Sequence, residues 1–258
     1  MPLSQSQVQL FAPADFPRVR PGDDLGAHSA AALARAGVRL AEGDIVVYAQ
    51  KVISKAEGRM VDLATVLPGR AALELAPMVA KDPRLVELVL RESKRVVRAA
   101  KNVLIVEHRL GFIMANAGID QSNVADPAAG EYALLLPQDP DASAARLRET
   151  LHELTGFRPA VVIADSFGRP WRVGTVGVAI GCAGLAATLD LRGEADLFGR
   201  RLRVTVVGHA DEIASAASLL MGQGSEGRPL VLLRGLPAGA PPQPASALLR
   251  PSVEDLFR

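Results

Sequence analysis

The chain holds a single cysteine, Cys182, so neither an internal disulfide nor a thiolate metal cluster can form, as expected in a reducing cytoplasm. Aromatic residues are scarce at 4%, with one Trp and two Tyr among 258 residues, which leaves aliphatic packing to build the core. Lys plus Arg at 29 against Asp plus Glu at 28 gives a net charge of +1, so no global field favours nucleic acid or an anionic membrane. No stretch approaches the roughly 20 uninterrupted apolar residues of a spanning helix, and Met1–Phe11 lacks the basic-then-apolar pattern of a secretory leader. A P-loop, an HExxH zinc helix and a GxSxG nucleophile elbow are also missing. The four histidines, His28, His108, His152 and His209, have no ligand spacing and read as satisfied surface or core residues.

What remains is a 49% hydrophobic chain long enough for one large or two modest cores. Asp23–Ala36 reads as a helix stopped by Gly37, and Asp44–Ala49 as a strand whose exit carries Lys51, Ser54, Lys55 and Arg59, a local anion site. Leu85, Val86, Val89, Leu90, Val96 and Val97 recur at helical spacing after Pro83, predicting one long helix to about Arg98. Val103–Val106 and Phe112–Ala115 read as strands, Asp141–Leu154 as a helix and Ala160–Ala164 as a strand. Leu202–Val207 and Leu230–Leu233 read as strands flanking a helix over Asp211–Met221. Pro237–Ala247 reads as an extended connector, with Leu248, Leu249, Leu256 and Phe257 docking back after it. The mixture predicts an α+β or α/β fold.

Asn116-Ala117-Gly118-Ile119-Asp120 and Asp165-Ser166-Phe167-Gly168-Arg169-Pro170-Trp171-Arg172 each follow an apolar run, and each places an Asp among small or turn-forming residues. Two such carboxylates can meet around one hard divalent ion that also takes phosphate oxygens; each alone is equally a turn or cap residue. Arg169 and Arg172 are either solvated charges or a bidentate grip on carboxylate or phosphate, and Trp171 reads as packing. The run Gly222 to Gly227 has dinucleotide-fingerprint spacing in the wrong order, helix before strand. It is either a plain turn or a loop whose amides and Glu226 approach a metal-bound phosphate.

These stretches, with Val52–Arg59, Asp196–Arg200 and the Leu249–Arg258 tail, resemble the γ-glutamyl ligases of coenzyme F420 biosynthesis almost from end to end. The resemblance implies a two-domain α+β fold peculiar to that family, with residues 1–95 and 200–258 as a nucleotide-binding unit and 96–199 as an inserted metal and substrate unit. It implies GTP-dependent addition of L-glutamate to coenzyme F420-0 through an acyl phosphate, then further γ-linked glutamates. Mg2+ or Mn2+ in two sites, K+, a homodimer and a cytoplasmic setting are implied with it, and neither nucleic acid nor membrane is a partner. Asp120 and Asp165 are by resemblance the catalytic metal ligands, joined by Ser166 and Glu226. The GTP positions are Ala14, Asp15, Phe16, Pro17, Gln50, Lys51, Lys55, Asn123, and the loop Met221, Gly222, Gln223, Gly224, Ser225, Glu226, Gly227 and Arg228. At Gln50 a small hydroxyl residue is frequent in relatives. Some relatives add a reductase-like domain after the ligase region; this chain stops after the tail, so only the ligase activity is expected. The alternatives are a nucleotide-dependent ligase or kinase for another carboxylate, and a non-catalytic binder.

Overall fold

The run Ile45–Ala49 is apolar at every position, which suits a strand covered on both faces, and in the computed structural model it lies at the centre of the largest sheet. The structure describes residues 7–126, 128, 130–237 and 240–255. Twelve strands are described: β1 (Gln9–Phe11), β2 (Ile45–Ala49), β3 (Met60–Asp62), β4 (Ser93–Ala100), β5 (Val103–His108), β6 (Ile113–Ala115), β7 (Tyr132–Leu134), β8 (Ala160–Arg169), β9 (Arg172–Ala183), β10 (Leu189–Asp190), β11 (Val206–Val207) and β12 (Leu230–Arg234). Six α-helices accompany them: α1 (Leu25–Arg35), α2 (Gln50–Ala56), α3 (Arg70–Val79), α4 (Pro83–Arg91), α5 (Pro140–Thr155) and α6 (His209–Met221). The fold is α+β.

The main sheet runs β1-β12-β2-β8-β9, with β2 and β8 parallel and the other neighbours antiparallel. Period-two alternation divides its side chains between two cores. Val46, Tyr48, Val161, Ile163, Leu230 and Leu232 face α1 and α5, whereas Ile45, Val47, Val162, Val231 and Leu233 face α6. Gly177 lets α6 lie directly on β9, since a Cβ there would stand 2.3 Å from the Ala214 carbonyl oxygen. A third core gathers Leu63, Val79, Val86, Val89, Leu104 and Val106 between α3, α4 and the three-stranded sheet β4-β5-β6. Its buried members all fall within 63–135, while residues 160–183, assigned by resemblance to the inserted unit, join the main sheet, β8 pairing with β2 and β9 with β8.

Several local expectations change. The helix expected from Asp23 begins at Leu25, capped by Asp24, which accepts from the Ala27 amide, and Asp23 closes a turn with Arg20. The long helix ends at Arg91, and Val96 and Val97 lie in β4, where β-branched residues suit a strand paired with β5. Of the strand expected over Leu202–Val207, only Val206–Val207 pairs. β8 runs five residues beyond Ala164, so Asp165 lies within a strand and not in a loop past its end. Leu248 and Leu249 dock on the cores as expected; Leu256 and Phe257 lie outside the described residues.

Glu92, the C-cap of α4, accepts from Arg59 Nη2, in the segment between α2 and β3, and from Arg109 Nε, just after β5, each at 3.0 Å. The Leu110 amide donates to His108 Nδ1, which leaves the ring proton on Nε2, 3.5 Å from the Glu92 carboxylate. Burial works to raise the Glu92 pKa, but His108, Arg109 and Arg59 outweigh it and hold the carboxyl at about 2. Because the folded value lies below the ordinary 4.5, the stabilisation is complete above that pH and is lost as pH falls toward 2. From about pH 5 to about pH 3 the wild type should lose roughly 1–2 kcal/mol more unfolding free energy than Glu92→Gln, measured by urea titration. Equal losses in the two proteins would refute the assignment.

Candidate functional site

The parallel pairing sets Ala49 opposite Ala164, so Gln50, just past the end of β2, and Asp165, midway along β8, follow side by side where the parallel pairing stops. That edge of a parallel strand pair is where open α/β sheets bind ligands. Just before Asp165, the β8–β9 register slips between Ile163 and Ala164, a bulge of the kind that re-aims side chains beside active sites. Asp120 arrives from another direction. After β6 the backbone takes three successive left-handed conformations, at Asn116, Ala117 and Gly118. A Cβ on Gly118 would also press on Met114 and Leu136 at 2.6 and 2.9 Å. The tight turn delivers Asp120 to a two-bond bridge with Leu134, whose amide and carbonyl fix its backbone.

The side chains then converge. Asp120 Oδ2 accepts from Gln50 Nε2 at 3.0 Å and lies 3.4 Å from Lys51 Nζ. Burial raises the Asp120 pKa, with Lys51 and Gln50 opposing the rise. Burial, and then the charge of nearby Asp120, push the Asp165 carboxyl up to about 7. A buried carboxyl whose ionisation a neighbouring carboxylate opposes is a group that a bound cation relieves. Lys51 also reaches the Ser122 carbonyl and hydroxyl, and Lys55 Nζ donates to the Asn123 carbonyl at 2.7 Å. The Lys55 pKa is lowered by burial, by Lys51 and by Arg18, so three cations crowd together as they would around an anion. Arg18 was missed in the sequence, where it is one arginine in a loop with no motif around it.

The glycine-rich loop after α6 closes over this group. Asn123 Nδ2 donates to the Gly224 carbonyl at 3.0 Å, and Ser166 Oγ donates to Gln223 Oε1 at 2.7 Å. Glu226 instead turns back on its own loop and accepts from the Gly224 amide at 2.8 Å. Gln223, not Glu226, therefore stands beside Ser166. Among the described residues no three or more His, Cys, Asp or Glu side chains gather to hold a metal. The pair Asp120 and Asp165 with the Ser166 hydroxyl still suits Mg2+ or Mn2+, since Mg2+ commonly takes one or two carboxylates and fills its shell with phosphate oxygens and water.

The remaining predicted positions lie further out. Asp15 is bound to Arg35 of α1 at 2.6 Å, and Phe16 packs edge-on against His28, so the Ala14–Pro17 loop is fastened to α1 while leading to Arg18. Arg169 shares a strand face with Asp165 four residues away, about 13 Å along β8. Arg172 pairs with it across the exposed Trp171 turn.

Paired carboxylates facing clustered amines where two parallel strands stop pairing form an arrangement suited to a cation and a phosphate. The F420-0:gamma-glutamyl ligase family matches residues 14–235 of the chain. The chain is 46% identical over 253 residues to the coenzyme F420:L-glutamate ligase of Methanothermobacter thermautotrophicus, covering 97% of this chain and 99% of that one. To the ligases of the same name from Methanopyrus kandleri and Archaeoglobus fulgidus it is 45% and 44% identical, covering 93% and 89% of this chain and 94% and 88% of theirs. The chain belongs to the F420-0:gamma-glutamyl ligase family.

Proposed function

We propose that the chain joins L-glutamate to coenzyme F420-0 at the expense of GTP, and then adds further glutamates through γ-linkages. The observation that carries the reading is the convergence of Asp120 and Asp165 beside Lys51, Lys55 and Arg18. The γ-phosphoryl group passes to the acceptor carboxylate oxygen and GDP leaves. The glutamate amine, having lost a proton, then attacks the acyl carbon and inorganic phosphate leaves as the amide forms. Mg2+ or Mn2+, two ions held by Asp120, Asp165 and Ser166, would supply charge neutralisation on the phosphate oxygens. Lys55 and Lys51 hold the phosphates in place, Asn123 ties the loop from Met221 to Arg228 over them, and the Ala14–Pro17 loop contributes to the nucleotide end. Arg169 and Arg172 line the approach for the acidic co-substrates.

K+ as activator, a cytoplasmic setting and a homodimer belong to the same reading. No helix among the described residues is long and apolar enough to cross a membrane. The exposed Trp171, Val173, Leu197 and Phe198 offer apolar area for a second copy. Purified protein given coenzyme F420-0, L-glutamate, GTP and Mn2+ should yield product heavier by one or more glutamate residues, read by mass spectrometry, with GDP released in step. No mass gain would reject the ligase reading, and faster GDP release with a different carboxylate would move the acceptor elsewhere.

A further inference from the structure

The resemblance gives Gln50 to the nucleotide, but its side chain is otherwise engaged. Gln50 is 1% exposed and opens α2 immediately after β2. Its Oε1 accepts from Ser54 Oγ at 2.9 Å, one helical turn on, and Ser54 is itself fully buried. Its Nε2 donates to Asp120 Oδ2 at 3.0 Å. The amide has one orientation that works: flipped, its carbonyl oxygen would face the Asp120 carboxylate, acceptor against acceptor. Ser54 thus sets the amide, and the amide sets the carboxylate. Lys51 reaches the same oxygen at 3.4 Å but also serves Ser122 and is more exposed, so Gln50 is the sheltered member of the pair. Among the described residues Asp120 Oδ1 accepts no hydrogen bond, which leaves it open as a donor to an ion.

We infer that Gln50 is a positioning residue that, anchored by Ser54, holds one oxygen of Asp120 and so orients the other toward a divalent cation. The inference rests on the proposed metal and nucleotide reading. Partners that orient metal-binding side chains from behind typically contribute 10- to 100-fold in metal affinity or activity. Gln50→Met keeps the length and bulk of the side chain and removes both amide contacts. Ser54→Ala removes only the anchor and leaves the amide in place.

Mn2+ binding, followed by electron paramagnetic resonance with a non-hydrolysable GTP analogue present, separates the possibilities. Gln50→Met should weaken Mn2+ by about 10-fold or more, and Ser54→Ala by a smaller factor in the same direction. On this inference, binding of the analogue in metal-free buffer should be unchanged in both, because the Gln50 amide contacts go to Asp120 and Ser54 and not to the nucleotide. In turnover, the loss should appear in the apparent Mn2+ requirement and in kcat while the KM for glutamate stays put. Should Gln50→Met fail to fold, Ser54→Ala carries the test alone. Wild-type Mn2+ affinity in the folded variants, or weakened metal-free binding of the analogue, overturns the inference. A wild-type protein that binds no Mn2+ is a different result and defeats the functional reading itself.

Discussion

Asp165→Asn is expected to lower the rate of glutamate addition about 1,000-fold or more while making the metal-free protein harder to unfold. The substitution keeps the side-chain shape and removes one charge from a place where burial and Asp120 both oppose ionisation. In EDTA the neutral amide relieves that opposition, and a gain of about 1–2 kcal/mol should appear as a higher melting temperature. Mn2+ with a GTP analogue should raise the wild-type melting temperature, as any ligand of the folded state does, and should do far less for the variant. Near-normal turnover would show that the site is misplaced. Loss of activity together with loss of metal-free stability would make Asp165 a structural residue.

At the opposite end of β2, Arg234→Met is expected to remove about 3 kcal/mol of stability without changing turnover by the protein that remains folded. Asp44 is fully buried and forms a two-pronged pair with Arg234, Nε to Oδ1 and Nη2 to Oδ2, both at 2.7 Å. Oδ2 also accepts from the Ala41 amide, and Arg234 Nη2 donates to the Arg39 carbonyl. Taking away the guanidinium leaves a carboxylate in the interior with one backbone donor, and that desolvated charge is the source of the cost. Asp44→Asn added to Arg234→Met should recover part of the loss, because no uncompensated charge remains. Urea unfolding of the two single variants and the double variant measures this. A loss under about 1 kcal/mol in Arg234→Met would mean that the pair contributes little.

Elements with their own local signals were legible in the sequence. The helix expected over Asp141–Leu154 is α5, one residue longer at each end, and β2 and β12 are apolar runs of strand length. What failed depended on partners remote in the chain. Val96 and Val97 continue the helical spacing of α4, and only pairing with β5 shows that they belong to a strand. Gly168 looks like a loop residue, but β8 pairs with β9 through it as far as Arg169, and only Pro170 and Trp171 make the turn. The two aspartates were singled out because each follows an apolar run among small residues, and the fold brings their side chains near one another. That Gln223 turns toward Ser166 while Glu226 bonds its own loop was not legible, since a glycine-rich loop gives no clue to which side chain turns inward. Gln50 was legible only as part of a resemblance, and its contact with Asp120 spans 70 positions.

The most direct measurement is anomalous scattering from manganese in crystals grown with MnCl2 and GDP. A peak at metal-ligand distance, about 2.0–2.2 Å, from a carboxylate oxygen of both Asp120 and Asp165 and from a phosphate oxygen is the predicted result. Manganese bound elsewhere, with the two carboxylates turned apart and nothing between them, would contradict it.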